Sequence, residues 1–594
     1  MSLRRLSKGA TVTVANRVLN SVSFFVQLIF LVSILRLCFS GLDFTDEGKY
    51  LNDSTLPSQS TDLVTHYGYV YHPMFRTLDF NIPAFRVANL LITFILASIA
   101  SYRSLKKFSA LSGLSNLSVS ISVGLISLSF LSVYWLSTPS YNTLTLQSLM
   151  LCWIFFLNYM DQSDEKLQIL NSLCFASSCV LLFLAKPSSF LLLHLVTFLF
   201  VIKYMGIKAG FMKIATHIAI VTSILFSFST VIYGSPVEIL FRVFNGYQNL
   251  KLLTKDSYTL VGILQNAKIS DQTLVSLSIV LFSLVVIKFR CLFPRARIQR
   301  KTRIFFAIIF LLSICLLMLY FTETSNLSMF LLLIPISLAY IWTCSFSREY
   351  TPNEKVGYLY FLILLPLIGA AGTTNNLFIQ YQFFFFFVIL FSILTISKRG
   401  NPRNSDLILK SFAICLVCLT AVVLYVAANS PYRQVSSLFS NSFRFSDNPT
   451  VRNLLVDYNT SNSYSKMSTV VLDSGFKPGE GLIDLTGQSP AVSFLIGAKP
   501  LGDSWLLGGY SGSNEFAIKK LMPLSCKEKI SSYLLVEPDG PLSLNEAYVL
   551  KRIGLDYTKY LNAGNWIAPR GAGGYVEERI LFLLKPNYSE SYCN

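Results

Sequence analysis

The chain is 594 residues long, 53% hydrophobic and 14% aromatic but only 13% charged, with a mean hydropathy of +0.54. That composition excludes a soluble globule and predicts a polytopic α-helical membrane protein. The formal net charge of +18 sits in short Lys/Arg clusters between apolar runs, where basic residues orient spans, so nucleic acid is excluded as a partner.

Runs of about 17 to 23 apolar residues predict about thirteen spans, at 19–39, 84–102, 114–136, 141–160, 168–185, 188–205, 214–233, 273–289, 304–321, 326–344, 357–375, 376–396 and 407–427. No small-residue cleavage site follows the first run, which reads as a retained span. Alternate connections collect the basic residues: Arg4, Arg5, Lys8 and Arg17, then Arg103, Lys106 and Lys107, then Lys203, Lys208 and Lys213, then the group from Lys288 to Arg303, and Lys398, Arg399 and Arg403. The positive-inside rule then puts the N-terminus in the cytoplasm and everything after the last span on the outer face.

Two large external loops are expected, 41–83 and 234–272, within a transmembrane domain of residues 1–427. Residues 428–594 change texture and predict an extracytoplasmic α/β domain, with strands at 468–473, 481–486, 532–537 and 579–585 and helices near 515–522 and 545–553. Nine of the eleven cysteines lie in or beside spans and read as small apolar residues. Cys526 and Cys593 lie in the external domain, and their spacing leaves open whether they pair. The histidines, His66, His72, His194 and His217, form no Cys/His group with zinc spacing, so no metal ligand is predicted. A divalent cation on first-loop carboxylates stays an open alternative.

The first span ends at Gly41-Leu42-Asp43-Phe44-Thr45-Asp46-Glu47-Gly48-Lys49-Tyr50. On a short juxtamembrane helix Asp43 would share a face with Glu47 and lie close to Asp46. Crowded, half-buried carboxylates bind protons more tightly, which moves one of them toward the range of a general base. Cations near the outer boundary are candidate phosphate ligands: Lys186 in a Lys-Pro turn, Arg36 inside the first span, and Arg76 and Arg86 flanking the second. Weaker candidates for contact with substrate are Asp43, Tyr50, His72, Asn375, Asn376 and Gln380. The aromatic run from Phe383 to Phe387 reads chiefly as lipid-facing bulk, and Trp505 and Tyr510 as either a saccharide platform or a core turn.

The Thr45-Asp46-Glu47-Gly48-Lys49-Tyr50 motif directly after the first span, the span count and the C-terminal external domain together resemble the GT-C superfamily of membrane glycosyltransferases. The likeness is to its lipid A aminoarabinose transferase and protein O-mannosyltransferase branches in particular. The layout covers the whole chain, the motif six residues. The resemblance implies a catalytic Asp46 with Glu47 second, and a polyprenyl-phosphate sugar as donor. It also implies an acceptor such as O-antigen, lipid A or another envelope glycan, while a separate donor synthase and flippase stay open as partners. The expected location is a bacterial inner membrane with the C-terminal domain in the periplasm. The turn Ser137-Thr138-Pro139-Ser140-Tyr141-Asn142 departs from the pattern, lacking an acid that several relatives carry.

A lipid phosphate is a good leaving group, so one base and a few cations suffice for inversion at the anomeric carbon, where a glycosidase needs two carboxyl groups. The competing readings are a lipid-linked glycan transporter or flippase, and an O-antigen polymerase or ligase. Transporters are built from repeats with charges near the midplane, neither of which the sequence displays.

Overall fold

A computed structural model describes residues 21–60, 62–108, 113–160, 165–254, 354–372, 377–397, 402–445 and 449–593. The predicted spans 273–289, 304–321 and 326–344, and the candidates Asn375 and Asn376, lie outside the described residues. Helices dominate up to residue 429, and an α/β region follows.

Among the described residues, six helices are long and apolar enough to cross a membrane: Ile82–Phe108, Ser115–Tyr134, Lys166–Ala185, Pro187–Met205, Ile207–Tyr233 and Leu409–Asn429. Ser21–Leu37, Gly357–Ala370 and Phe386–Thr395 are apolar but shorter. The predicted 141–160 span is the helix Tyr141–Tyr159, whose first two turns carry Asn142, Thr143, Thr145 and Gln147. Those side chains face protein, since Gln147 donates to Asn89 Oδ1 and Thr93 Oγ1 (both 2.9 Å) and accepts from Tyr71 Oη at 2.9 Å. The predicted 376–396 span is broken between Leu377–Gln382 and Phe386–Ser397. Phe383 to Phe387 are all buried in the core there, which corrects the reading of that run as lipid-facing bulk.

Lipid-facing surface appears elsewhere. Phe24, Phe25, Ile29 and Val32 on the first helix, and Leu191, Leu195 and Leu199 on Pro187–Met205, are more than half exposed. Apolar stripes of that size are expected where hydrocarbon replaces water as the solvent. The protein-facing side of the first helix is marked by Gln27, buried and donating to Ser122 Oγ at 2.8 Å.

The C-terminal region holds two antiparallel residue pairs, β1 (Phe443–Arg444) with β2 (Leu455–Val456), and a five-stranded sheet. The sheet comprises β3 (Gly481–Asp484), β4 (Lys499–Pro500), β5 (Tyr533–Val536), β6 (Tyr560–Ile567) and β7 (Ile580–Pro586), in the order β4-β3-β5-β7-β6. β3 runs parallel to β4 and β5, and β7 antiparallel to β5 and β6. Strands predicted at 481–486, 532–537 and 579–585 are present, as are the helices, at Ser513–Leu521 and Glu546–Arg552. Residues 468–473, predicted as a strand, instead end the helix Tyr458–Asp473. Thr460, Ser463, Tyr464, Met467 and Val471 recur at helical spacing and are buried, and the Val-Val-Leu run had masked that period. Cys526 and Cys593 form a disulfide.

Alternation along the strands gives the sheet two buried faces. Ile483, Leu485, Leu534 and Val536 pack with Phe516, Leu521, Val549 and Leu550 of the domain's own helices. Leu482, Leu535, Leu581 and Leu583 join a cluster with Leu42, Phe44, Tyr50, Tyr67 and Phe75 of the first loop and with Ala185 at the end of a candidate span. The first loop is thus part of the C-terminal domain's core. Main-chain bonds add to the joint: Gly41 N to Leu455 O (2.8 Å), Leu455 N to Phe39 O (2.7 Å) and Ala491 N to Phe44 O (3.1 Å).

Gly48 sets how closely the Asp46–Thr55 helix approaches the helix Pro490–Leu495, because a Cβ there would overlap the backbone of Ala491. Gly48→Val is therefore expected to cost at least about 1–3 kcal/mol by overpacking, seen as a lower Tm in detergent and faster proteolysis of the external domain. An unchanged Tm and cleavage pattern would overturn this docking.

Candidate active site

Three carboxylates leave the first span together, and each meets a different environment. Gly41, at φ +75°, turns the chain. Asp43 follows in the turn before the helix Asp46–Thr55, not on that helix as its spacing predicts. Asp43 is fully buried and caps the helix start, accepting from Glu47 N at 3.1 Å and from Thr45 Oγ1 at 2.8 Å. Glu47 reciprocates, accepting from Asp43 N at 3.0 Å. The two acids act as a capping pair for a helix that begins against the membrane boundary.

Glu47 is also clamped by Arg86, the first cation of the next span. Arg86 Nε donates to Glu47 Oε1 at 2.9 Å and Nη2 to Oε2 at 2.7 Å. The remaining guanidinium donors reach the carbonyls of Cys38 (3.0 Å), Ser40 (3.3 Å) and Gly41 (2.9 Å), in the segment that leaves the first helix after Leu37. Thr138, in the turn before the helix Tyr141–Tyr159, donates to Glu47 Oε1. Both members of the pair are buried. Every Arg86 donor direction is occupied, which corrects its assignment as a phosphate ligand, and Glu47 is held as a structural anion rather than presented to a substrate.

Asp46 is the carboxylate left in view, with a side chain 29% exposed. Its partner is Arg433, whose Nη1 lies 3.0 Å from Asp46 Oδ2 and also meets Thr45 Oγ1. Tyr432 bonds the same carboxylate, and the Arg433 guanidinium lies 4.6 Å from the Tyr432 ring centre. Burial raises the proton affinity of Asp46 while Arg433, Tyr432 and Lys49 oppose it, and the rise prevails. Asp43 is raised by burial and then by the neighbouring Asp46. Arg433 adopts φ +54°, a left-handed conformation unusual for a side-chain-bearing residue. Strain of that kind is held by its surroundings. Gly571 lies against the Arg433 carbonyl, and Arg579, paired with Glu537 at 3.0 Å, donates to Ala572 O at 2.6 Å in the same loop.

Beyond Asp46 the same helix carries a balanced ionic cluster. Lys49 contacts Asp53 (2.9 Å) and Ser504 (3.0 Å) and approaches Asp503 (3.9 Å), which pairs with Lys520 at 3.1 Å. Tyr67 and Ser504 donate to Asp53, both at 2.6 Å. Lys520 and Lys49 hold the Asp503 carboxyl below the usual range despite its burial. These residues join loop to domain. Trp505 belongs to this joint, buried with its indole N–H on Gly487 O at 2.8 Å, so it is a core turn and no platform; Tyr510 is half exposed.

Lys186 is buried in the turn between two candidate spans, with its ammonium on Gly369 O at 3.0 Å and, among the described residues, no carboxylate beside it. Burial pushes it down to about 7. The turn touches the first loop, since His66 N donates to Leu184 O at 2.7 Å. Tyr50 is buried, edge-on to Tyr67 and Tyr141. His72 Nδ1 meets Ser54 O at 2.9 Å, pinning the end of the Asp46–Thr55 helix. Gln380 is buried with Oε1 unpartnered. Arg36 and Arg76 are exposed and form no ion pair with the described residues, so neither joins the carboxylates. With Glu47 on Arg86 and Asp46 on Arg433, the first-loop acids do not converge as a cation cradle.

Arg433 and Tyr432 were missed by the sequence reading. Their signal was position: they follow the last span within a few residues of its end, as the acidic motif follows the first.

Arg86→Ala leaves Glu47 buried and unpaired, with an expected loss of about 3–5 kcal/mol and a sharp fall in folded protein recovered from membranes. Adding Glu47→Leu to that variant removes the stranded charge and should restore part of the stability. Equal yields and Tm values for wild type and Arg86→Ala would refute the anchoring role. No known protein-family model matches this chain, and no curated protein sequence matches it.

Proposed function

We propose that the chain is an inverting glycosyltransferase of the GT-C kind, transferring a sugar from a polyprenyl-phosphate donor to an envelope-glycan acceptor at the outer face of the membrane. The observation that carries the reading is the division of labour among the three carboxylates. Asp43 and Glu47 are sealed and engaged, whereas Asp46 is partly exposed, raised in proton affinity and steadied by a cation.

In this mechanism Asp46 takes the proton of the acceptor hydroxyl as that oxygen bonds the anomeric carbon. The bond from that carbon to the phosphate oxygen breaks on the opposite side, and polyprenyl phosphate leaves with the electron pair. Lys186, whose ammonium has one carbonyl partner among the described residues, and Arg433 supply positive charge for the phosphate. The thirteen-span layout with a cytoplasmic N-terminus and a periplasmic C-terminal domain belongs to the same proposal. The Cys526–Cys593 disulfide supports an oxidising compartment for that domain.

Asp46→Asn is expected to lower turnover by about 10²–10⁴-fold, the usual yield of a general base, with unchanged membrane level. Mass spectrometry of envelope glycans from cells carrying wild type, the variant or no copy reads the result. A glycan profile identical to wild type in the variant would remove Asp46 as the base.

The pH dependence has a definite sign. Asp46 must be ionised to accept a proton, so activity falls on the acid side as pH drops through its raised pKa. Arg433 holds that pKa down, so Arg433→Leu should move the acid limb of the kcat/KM profile to higher pH. A limb that stays in place would show that Asp46 does not set it.

A further inference from the structure

The helices Lys166–Ala185, Pro187–Met205 and Ile207–Tyr233 run as consecutive hairpins, turning at Lys186 and at Gly206. In an antiparallel hairpin, residues equally far from the turn lie level. Cys179 and His194 stand seven and eight residues from Lys186, and His194 and His217 stand twelve and eleven from Gly206. Cys179, His194 and His217 accordingly meet, with Sγ and one ring nitrogen of each histidine within 4.8 Å of one another. Separations of 15 and 23 residues in sequence hide the group from any spacing motif, which is why no metal ligand was predicted.

The protonation pattern suits ligation. His194 Nδ1 lies 2.9 Å from the carbonyl of Phe190, which only accepts, so Nδ1 carries the proton and Nε2 the lone pair. A ring N–H fixed on a backbone carbonyl is the usual companion of a metal-bound imidazole. That Nε2 is buried and unpartnered. His217 is 3% exposed, and neither of its ring nitrogens has a partner. Ring stacking accounts for the packing, with Phe175 at 4.7 Å and His194 at 5.3 Å from His217, but it leaves those nitrogens unsatisfied.

A second thiol completes the set. Cys152, buried on the helix Tyr141–Tyr159, has its Sγ 3.9 Å from that of Cys179. Two thiolates bound tetrahedrally at about 2.3 Å to one zinc ion stand about 3.8 Å apart. Zinc with two thiolates and two neutral imidazoles has no net charge, as an apolar interior demands.

We propose that Cys152, Cys179, His194 and His217 form a structural zinc site that ties four successive helices together. Binding releases the two thiol protons, and a small closing of the rings brings the nitrogens to bonding distance. The site fixes the helix pair whose turn carries Lys186, and it stands whether or not the chain transfers sugars.

The test uses the full chain purified in detergent without chelators. Elemental mass spectrometry is expected to find about one zinc per chain, and the cobalt-exchanged protein should show a thiolate-to-cobalt charge-transfer band. Cys179→Ala and His217→Phe should each lower zinc occupancy at least about ten-fold, while His72→Ala keeps it. The Phe variant preserves the ring stack, so a packing role alone predicts a wild-type Tm for it. Wild-type protein that holds no zinc and gives no cobalt band after metal loading overturns the proposal, without recourse to variants. So does full zinc retention in both Cys179→Ala and His217→Phe, which would mark adventitious binding elsewhere.

Discussion

The buried Arg86–Glu47 pair is the constraint on which the first loop depends. A guanidinium at the start of one span reaches carbonyls just past the end of another and grips a carboxylate of the helix between them. Those carbonyls leave a helix end at the membrane boundary, where neither lipid nor helix supplies donors. An ammonium has neither the number nor the planar spread of donors to serve three carbonyls and a carboxylate at once, so Lys is no substitute for Arg. Glu47 supplies the charge that makes a buried guanidinium tolerable, and its second oxygen ties back to Asp43 N. The loop is thereby fixed by polar contacts before any apolar packing is counted.

Apolar packing then makes the external domain inseparable from that loop. One face of the five-stranded sheet is closed by Leu42, Phe44, Tyr50 and Phe75, and the cluster around Asp53 and Asp503 alternates charge across the same boundary. Asp46 lies on the helix between these two anchorages, one at its start and one a turn further on. Its own partner, Arg433, comes from the segment that leaves the last span. An aspartate on a free loop would wander by more than proton transfer tolerates; this one is bounded on both sides.

Much of this was legible in the sequence, and the failures have physical causes. The acidic motif stood out because charges beside a span are few, and the α/β texture of residues 428–594 followed from short alternating runs. The assignment of roles did not follow. Arg86 and Lys186 are both cations at a span boundary, and only the fold shows that one is saturated by Glu47 and three carbonyls while the other meets a single carbonyl among the described residues. Val470 and Val471 misled the reading of the helix Tyr458–Asp473, since β-branched residues mimic a strand where burial follows a period near four. Phe383 to Phe387 misled in the opposite direction: apolar residues in a membrane protein face lipid or protein with equal ease, and composition does not distinguish them.

The proposal of Asp46 as the base, among three neighbours, rests on how burial acts on a carboxylate. Complete burial with several donors, as at Asp43 and Glu47, yields a group whose hydrogen bonds are already made. Full exposure would leave an ordinary carboxylate, too weak a base to help a hydroxyl attack. Asp46 lies between these limits, desolvated enough to hold a proton more tightly and open enough to reach one. Arg433 keeps the desolvation from going too far, since an aspartate raised without opposition would stay protonated and lose its use as a base. The strained backbone of Arg433 and the loop packed behind it are the structural means by which that balance is held.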